Sequence, residues 1–224
     1  MDTKQFNNTS NVSKGFDRIT FFYDAMACIA SFNQINKSQL AFLSQLTIQT
    51  TCLILGGGTG YFLQKLLEEN KTVHVTYVDV SEKMIQYAQK RIKKNLPDEL
   101  NRVTFICKDI DEFEFSDYDI IVCNYFLDLF DEGRVRMLIQ LYKKQWNQNG
   151  ILYITDFSMS EDRIVAWTTK IGLKVLYKLF KCTTHISTEA LPSIDKIVRE
   201  NGFNVIQTKC FLKGILKCTL YKCF

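Results

Sequence analysis

Residues 51–60 read TCLILGGGTG: a short apolar run stops in four glycines within five positions, and Tyr61 comes next. A strand that ends in so much backbone freedom is a strand-to-helix turn where backbone can approach a ligand closely. The pattern downstream of the glycines constrains the fold class. Residues 61–69 repeat Phe62, Leu63, Leu66 and Leu67 at helical spacing, and residues 72–78 are β-branched and strand-like. Ser81 is placed to cap a helix whose Met84, Ile85, Ala88 and Ile92 face inward. Residues 102–107 and 118–123 read as strands, 131–146 as a long helix punctuated by Asn149-Gly150, and 151–155 as a fifth strand. Strands alternating with helices predict a mostly parallel α/β sheet covered on both faces.

The flanks complete one domain over residues 15–224. Residues 1–14 are polar and expected to be flexible, and residues 15–48 read as an aromatic-rich helical cap with a helix over 37–46. Residues 160–181 are helical in pattern but apolar on more than one side, which suits a lid over a pocket or a helix buried in the core. A further helix spans 188–200, and the runs 203–211 and 215–224 are close enough to pair as an antiparallel hairpin.

Composition narrows the function classes. A net charge of +4 is too mild to argue for nucleic acid or a membrane surface. The lysine-rich face of the second helix (Lys83, Lys90, Lys93, Lys94) reads as solvated surface, with RNA docking as the sharper alternative. No apolar run reaches the roughly 18 residues of a membrane span, and the opening MDTKQFNNTSNVSKGF lacks the apolar core of a signal peptide. The eight cysteines form no C-x-x-C pair; Cys52, Cys107, Cys123 and Cys210 fall in strand-like runs and read as small buried hydrophobes of a reducing, cytoplasmic protein. Two widely separated histidines argue against a metal site.

The glycine loop separates ligand classes. No Lys-Ser or Lys-Thr comes after Gly60, so the phosphate-binding G-x-x-x-x-G-K-[ST] pattern fails. Counted from Gly56, the dinucleotide pattern G-x-G-x-x-G puts Tyr61 where its third glycine should be. The G-x-G-x-G of LILGGGTG resembles the first motif of class I S-adenosylmethionine-dependent methyltransferases. VTYVDVSEKMI resembles the second, with Asp79 as the acid that accepts the ribose hydroxyls and Val80 and Met84 beside the cofactor. FICKDIDEF resembles the third, with Asp109 toward the adenine amino group and Ile110 beside the ring. YDIIVCNYFLDLF resembles the fourth-strand motif, with Asn124 and Tyr125 near the methionine part, and GILYITDFS resembles the fifth strand. FDRITFFYD resembles the opening of the ubiquinone/menaquinone-type small-molecule methyltransferases, with Tyr23 over the cofactor.

The resemblance covers residues 16–160 closely and the rest by topology. It implies a Rossmann-like doubly wound seven-stranded sheet of order 3-2-1-4-5-7-6 with strand 7 antiparallel, N-terminal helices and a helical lid over 160–185. It also implies S-adenosyl-L-methionine bound through Tyr23, Gly56, Gly57, Gly58, Gly60, Asp79, Val80, Met84, Asp109, Ile110, Asn124 and Tyr125, with S-adenosyl-L-homocysteine as product. Two departures stand out. Ile54 occupies the place of the family's usual acid before the loop, and the Asn-Pro-Pro-Tyr of amino-methylating nucleic-acid enzymes is replaced by Asn124-Tyr125-Phe126.

Methyl transfer is a displacement at an already activated carbon, so a protein mainly aligns and desolvates the reactants. A base is needed where the acceptor must lose a proton. Candidates are Asp128, after the fourth strand, and His185, which also reads as an ordinary loop residue; His74 lies inside the second strand, away from the crevice. Phe21, Phe22, Tyr23, the stretch 125–130 and the segment 160–185 are mostly apolar and aromatic, which predicts a small apolar or aromatic acceptor. A nucleic-acid or protein methyltransferase, and a non-catalytic cofactor-binding protein, remain the alternatives; monomer and homodimer are both open.

Overall fold

Cys52, Leu53, Ile54 and Leu55 are all buried, so the first strand is covered on both faces and needs apolar residues at consecutive positions. The structure is a computed structural model that describes residues 32–48, 50–144, 146–158 and 192–223. Its elements are α1 (Phe32–Gln39), β1 (Thr51–Leu55), α2 (Tyr61–Glu69), β2 (His74–Asp79), α3 (Glu82–Asn95), β3 (Val103–Cys107), β4 (Tyr118–Asn124), α4 (Glu132–Lys144), β5 (Trp146–Phe157), α5 (Ile194–Glu200), β6 (Phe203–Phe211) and β7 (Leu216–Cys223). The seven strands lie in the order β3-β2-β1-β4-β5-β7-β6. β1 pairs in parallel with β2 and β4, β2 with β3, and β4 with β5. β7 runs antiparallel to both β5 and β6. This is the expected Rossmann-like order, strand reversal included.

Alternate residues of each strand feed two cores. Leu53, Leu55, Ile121, Leu152 and Ile154 pack with Val135, Leu138, Ile139 and Tyr142 of α4 and Ile194, Ile197 and Val198 of α5. Cys52, Ile54, Val75 and Tyr77 face the other way, onto Phe62, Leu63, Leu66 and Leu67 of α2 and Ile85, Ala88 and Ile92 of α3. The period-2 strands and period-3.6 helices therefore meet on both faces, which is the doubly wound arrangement. Ser81 caps α3 as expected, its hydroxyl accepting from the Met84 N–H. The lysines of α3 (Lys83, Lys90, Lys93, Lys94) are exposed.

Several boundaries differ from the sequence reading. The helix expected over 37–46 is α1, ending at Gln39, and a 3-10 turn at Leu43–Gln45 tucks Leu43 and Leu46 into the core. α4 stops at Lys144, and β5 begins at Trp146, paired with Tyr118 across an irregularity, so Asn149-Gly150 lies within the strand. In the helix expected over 188–200, α5 begins after Pro192, with Ser193 at its N-cap; residues 188–191 lie outside the described residues. Cys52 and Cys123 are buried, but Cys107 and Cys210 are exposed, because β3 and β6 are the sheet's two edges. No helix among the described residues is long and apolar enough to cross a membrane. The segments 1–14 and 160–185, and with them the lid, lie outside the described residues.

Candidate cofactor-binding site

The carboxyl ends of β1, β2 and β4 lie at one edge of the sheet, where doubly wound sheets form their ligand crevice, and the glycine loop crosses that edge. Gly56 and Gly57 both donate to the Val78 carbonyl, at 2.9 and 3.4 Å, which folds the loop over the end of β2. A Cβ on Gly57 would lie 2.2 Å from the Tyr77 ring, so the loop rests directly on that ring. Gly60 has a φ of +78°, and a Cβ there would lie 2.8 Å from Ala88, so α2 and α3 approach as closely as backbone allows. Gly58 differs: with a φ of +65°, its Cβ would meet none of the described residues within 4 Å. The loop is thus tight against protein on its inner side and open at Gly58.

Side chains from β2 and α3 hold it there. Asp79 is 8% exposed; its Oδ2 accepts the Gly58 N–H and its Oδ1 the Ser81 N–H, both at 2.9 Å. A carboxylate has about four acceptor positions, and these two bonds fix the orientation of the group at the end of β2. The Tyr77 hydroxyl donates to the Gly58 carbonyl at 2.8 Å, and Arg91 Nε donates to the Thr59 carbonyl at 2.9 Å. Burial first, then the Asp79 charge, push the Tyr77 phenol well above its ordinary pKa, so it stays a donor.

Ile54 is 2% exposed and in register with Tyr77 on β2, and both belong to the core on the α2–α3 face. Where the resembling family carries an acid, this chain has an apolar contact, and the adjacent tyrosine supplies the polar tip. Tyr77, Arg91 and the role of Ser38 escaped the sequence reading; the strand register that puts Tyr77 beside Ile54 was the available signal.

The second wall is the turn after β4. Tyr125 has a φ of +54°, a left-handed conformation that is uncommon for a bulky residue. Three contacts hold it: its N–H donates to the Thr155 carbonyl at 2.7 Å, its hydroxyl is 2.6 Å from Ser38 Oγ on α1, and its ring lies 5.2 Å from that of Phe157. Phe126 turns back toward the loop, since a Cβ on Gly56 would lie 2.5 Å from its ring. Both amide atoms of Asn124 are shielded from solvent and have no hydrogen-bond partner among the described residues. A buried primary amide without partners is costly unless something completes it.

Asp128 lies in the 3-10 turn Leu127–Leu129 and is 4% exposed, as is Asp156 on β5. The Asp128 N–H donates to Asp156 Oδ2 at 3.1 Å, and the Phe157 N–H donates to Asp156 Oδ1 at 2.9 Å. Burial raises both carboxyl groups, Asp128 to about 6 and Asp156 well above the usual range, and the Asp128 charge raises Asp156 further. Asp156 also escaped the sequence reading, although an acid inside the apolar run GILYITDFS was visible.

The other candidates divide. Ile110 is buried against Leu55 and Val78, Met84 is buried at the start of α3, and Val80 is half-buried beside Asp79. Asp109 is half-buried, with Oδ1 accepting from the Asp111 N–H at 3.0 Å, a turn contact that leaves the other oxygen to a ligand. His74 is the exposed first residue of β2, at the opposite end of that strand from Asp79. Tyr23 and His185, with Phe21 and Phe22, lie outside the described residues. No cluster of three metal-ligating side chains occurs among the described residues.

A seven-stranded sheet in this order, with a glycine turn after β1 and an acid closing β2, is the architecture of class I S-adenosylmethionine-dependent methyltransferases. Residues 53–152 match the family model described as a methyltransferase domain. A malonyl-[acyl-carrier protein] O-methyltransferase of Bacillus cytotoxicus is 30% identical over 155 residues, which are 66% of this chain and 50% of that protein. The chain spans about half the length of that relative. The mitochondrial 2-methoxy-6-polyprenyl-1,4-benzoquinol methylase of Caenorhabditis elegans is 25% identical over 229 residues, 95% of this chain and 76% of that protein. Among solved structures, an O-methyltransferase family protein from Burkholderia thailandensis shares the fold with a TM-score of 0.70 at 21% identity, over 92% of this chain and 60% of that one. Human N-acetylserotonin methyltransferase, solved with SAM, shares it with a TM-score of 0.62 at 18% identity, over 85% of this chain and 52% of that one.

Proposed function

We propose that this protein is an S-adenosylmethionine-dependent methyltransferase acting on a small, apolar or aromatic acceptor. The observation that carries the reading is the clamped loop: glycines 56–60 held open at Gly58, with the buried Asp79 carboxylate beneath and the partnerless Asn124 amide across the crevice. These residues fit the cofactor. Asp79 offers acceptors to a ribose diol, the backbone at Gly58 can approach it closely, and Asn124 offers both a donor and an acceptor to an amino-acid end. Ile110 and Met84 give apolar surface, and Asp109 an acceptor for an adenine amino group. When bound, the cofactor supplies a methyl group already activated on a sulfonium. The chain's part is to orient it, to exclude water through the aromatic turn 125–130, and to receive any proton the acceptor gives up. Tyr23, over the cofactor, and His185, as a further base, stay within this reading as candidates from the 15–48 cap and the 160–185 lid.

The names of the relatives support a small acceptor but differ in kind: one is a protein-borne malonyl group, the other a benzoquinol. The exposed lysines of α3 are joined by one exposed aromatic, Tyr87, and a single ring on a solvated helix face does not by itself favour RNA. Calorimetry with S-adenosylmethionine tests the core of the reading. Binding is expected, and Asp79→Ala should weaken it by at least tenfold, since a buried hydrogen bond to a charged group contributes about 1.5–3 kcal/mol. Unchanged affinity in Asp79→Ala sinks the site assignment, and no binding by the wild type sinks the enzyme.

A further inference from the structure

We propose that Asp128 and Asp156 form a one-proton carboxyl pair that takes up the proton of the methyl acceptor, and that the acceptor is therefore a hydroxyl or an electron-rich ring carbon rather than a carboxylate. This rests on the methyltransferase reading of the glycine-loop site.

The geometry comes first. Asp156 lies near the end of β5 and Asp128 in the turn after the neighbouring β4, both buried, with the Asp128 N–H bonded to Asp156 and the carboxyl groups within hydrogen-bond reach of each other. Neither is paired with a cation among the described residues. The strands bring the titratable Cys123 of β4 and Lys217 of β7 next to Asp156. The Cys123 thiol is kept neutral by burial and then by the Asp156 charge. Lys217 is the cross-strand neighbour of Asp156, but its Nζ lies 3.8 Å from Asp195. Two buried carboxylates side by side with no cation cannot both ionise near neutrality, so one proton stays between them and the pair carries a single negative charge. Burial raises Asp128 to about 6 although its hydrogen bond with Asp156 lowers it, and burial followed by the Asp128 charge raises Asp156 further.

The chain places the pair beside the site. Asp128 comes four residues after Asn124, in the turn that walls the crevice, and its Oδ1 is shielded without a partner among the described residues, as is the Asn124 amide. A polar ligand group would complete both. The balance of the step is simple. The acceptor oxygen or carbon forms the bond to the methyl carbon as the carbon–sulfur bond breaks, and that electron pair stays on sulfur. The acceptor's proton passes to Asp128. A sulfonium and a singly charged pair become a thioether and two neutral acids, so no charge is left stranded in the buried site. An acceptor that is already a carboxylate gives up no proton and would meet the pair's negative charge. Asp128 is the proton acceptor in this step; Asp156 is a positioning residue that sets how readily Asp128 takes the proton.

Infrared difference spectroscopy of the full chain tests the pair without any acceptor. A protonated-carboxyl band at pH 7 is expected in the wild type; it should disappear in Asp156→Asn, and in Asp128→Asn it should titrate away at lower pH than in the wild type, because the Asp128 charge that raises Asp156 is gone. Its absence from the wild type overturns the pair. Labelled methyl transfer is then measured with catechol, hydroquinone and S-malonyl-N-acetylcysteamine as probes, alongside calorimetry with S-adenosylmethionine. Transfer to a hydroxylated probe and not to the malonyl thioester is expected, with a rate that rises through about pH 6. Asp128→Asn should lower that rate by about 10²–10⁴-fold with cofactor affinity unchanged within twofold. Asp156→Ala should move the midpoint toward alkaline pH, because the hydrogen bond from Asp156 that lowers the Asp128 pKa is gone. Full turnover in Asp128→Asn, or transfer to the malonyl thioester alone or to no probe by a wild type that binds the cofactor, overturns the proposal. Failure to bind the cofactor at all overturns the methyltransferase reading instead.

Discussion

Tyr77 shows how a single side chain can stabilise a loop that has almost no side chains of its own. Its ring fills the space below Gly57, and its hydroxyl fixes the Gly58 carbonyl. Removing the hydroxyl alone, in Tyr77→Phe, keeps the ring contact and deletes one bond. Unfolding in urea should show a loss of about 1 kcal/mol, the ordinary net value of such a bond, with an unchanged denaturant slope. A midpoint equal to the wild type's would mean that the ring alone supports the loop. The glycines and Asp79 were legible in the sequence because their chemistry is local: a turn needs positive φ, and an acid ending a strand stands out. Tyr77 and Asp156 were not, because each acts through a neighbour that the sheet supplies. Tyr77 matters through its register with Ile54, and Asp156 through a turn 28 positions away. The absent acid at Ile54 is an anomaly only in one dimension, since the adjacent strand contributes the polar group.

At the scale of elements, interiors were legible and ends were not. The apolar period of α2 and α3 names the residues that are buried, because burial selects them one by one. Ends depend on partners far along the chain. The end of α2 is closed by Arg102, which donates to the carbonyls of Leu67, Asn70 and Val73 at 3.0–3.2 Å and pairs with Glu99 at 2.7 Å. Nothing in the helix sequence announces that clamp. Arg102→Ala leaves three carbonyls without their donor, and a loss of about 2–4 kcal/mol is expected. Arg102→Lys should recover only part of it, since an ammonium cannot reproduce the guanidinium fork. Thermal unfolding checks both. The clamp lies at the end of the sheet away from Asp79, so both variants should bind S-adenosylmethionine with wild-type affinity; a parallel loss of binding would show that the two ends of the sheet are coupled.

The whole molecule carries the strain of its site as a pH dependence of stability. Asp128 and Asp156 bind protons more tightly folded than unfolded, because burial disfavours the charged form of both and the Asp128 charge disfavours that of Asp156 further. Between about pH 4, where such acids ionise in an unfolded chain, and the higher values at which they ionise in the fold, the native state holds more protons. The unfolding free energy contributed by the pair therefore falls as pH rises through that window. Glu132 acts with the opposite sign. The Ser193 N–H, donated at 2.9 Å, lowers its pKa, so its contribution is present above the ordinary glutamate range and is lost as pH falls. A single wild-type curve mixes the two, and the difference between variants separates them. Asp128→Asn removes one titrating acid and the like charge on its neighbour while leaving Glu132 untouched. Its stability relative to the wild type should rise steadily from pH 5 to pH 8 in urea titrations. A difference that stays flat across that range would mean that the two carboxyl groups ionise independently in the fold, each as it does in water.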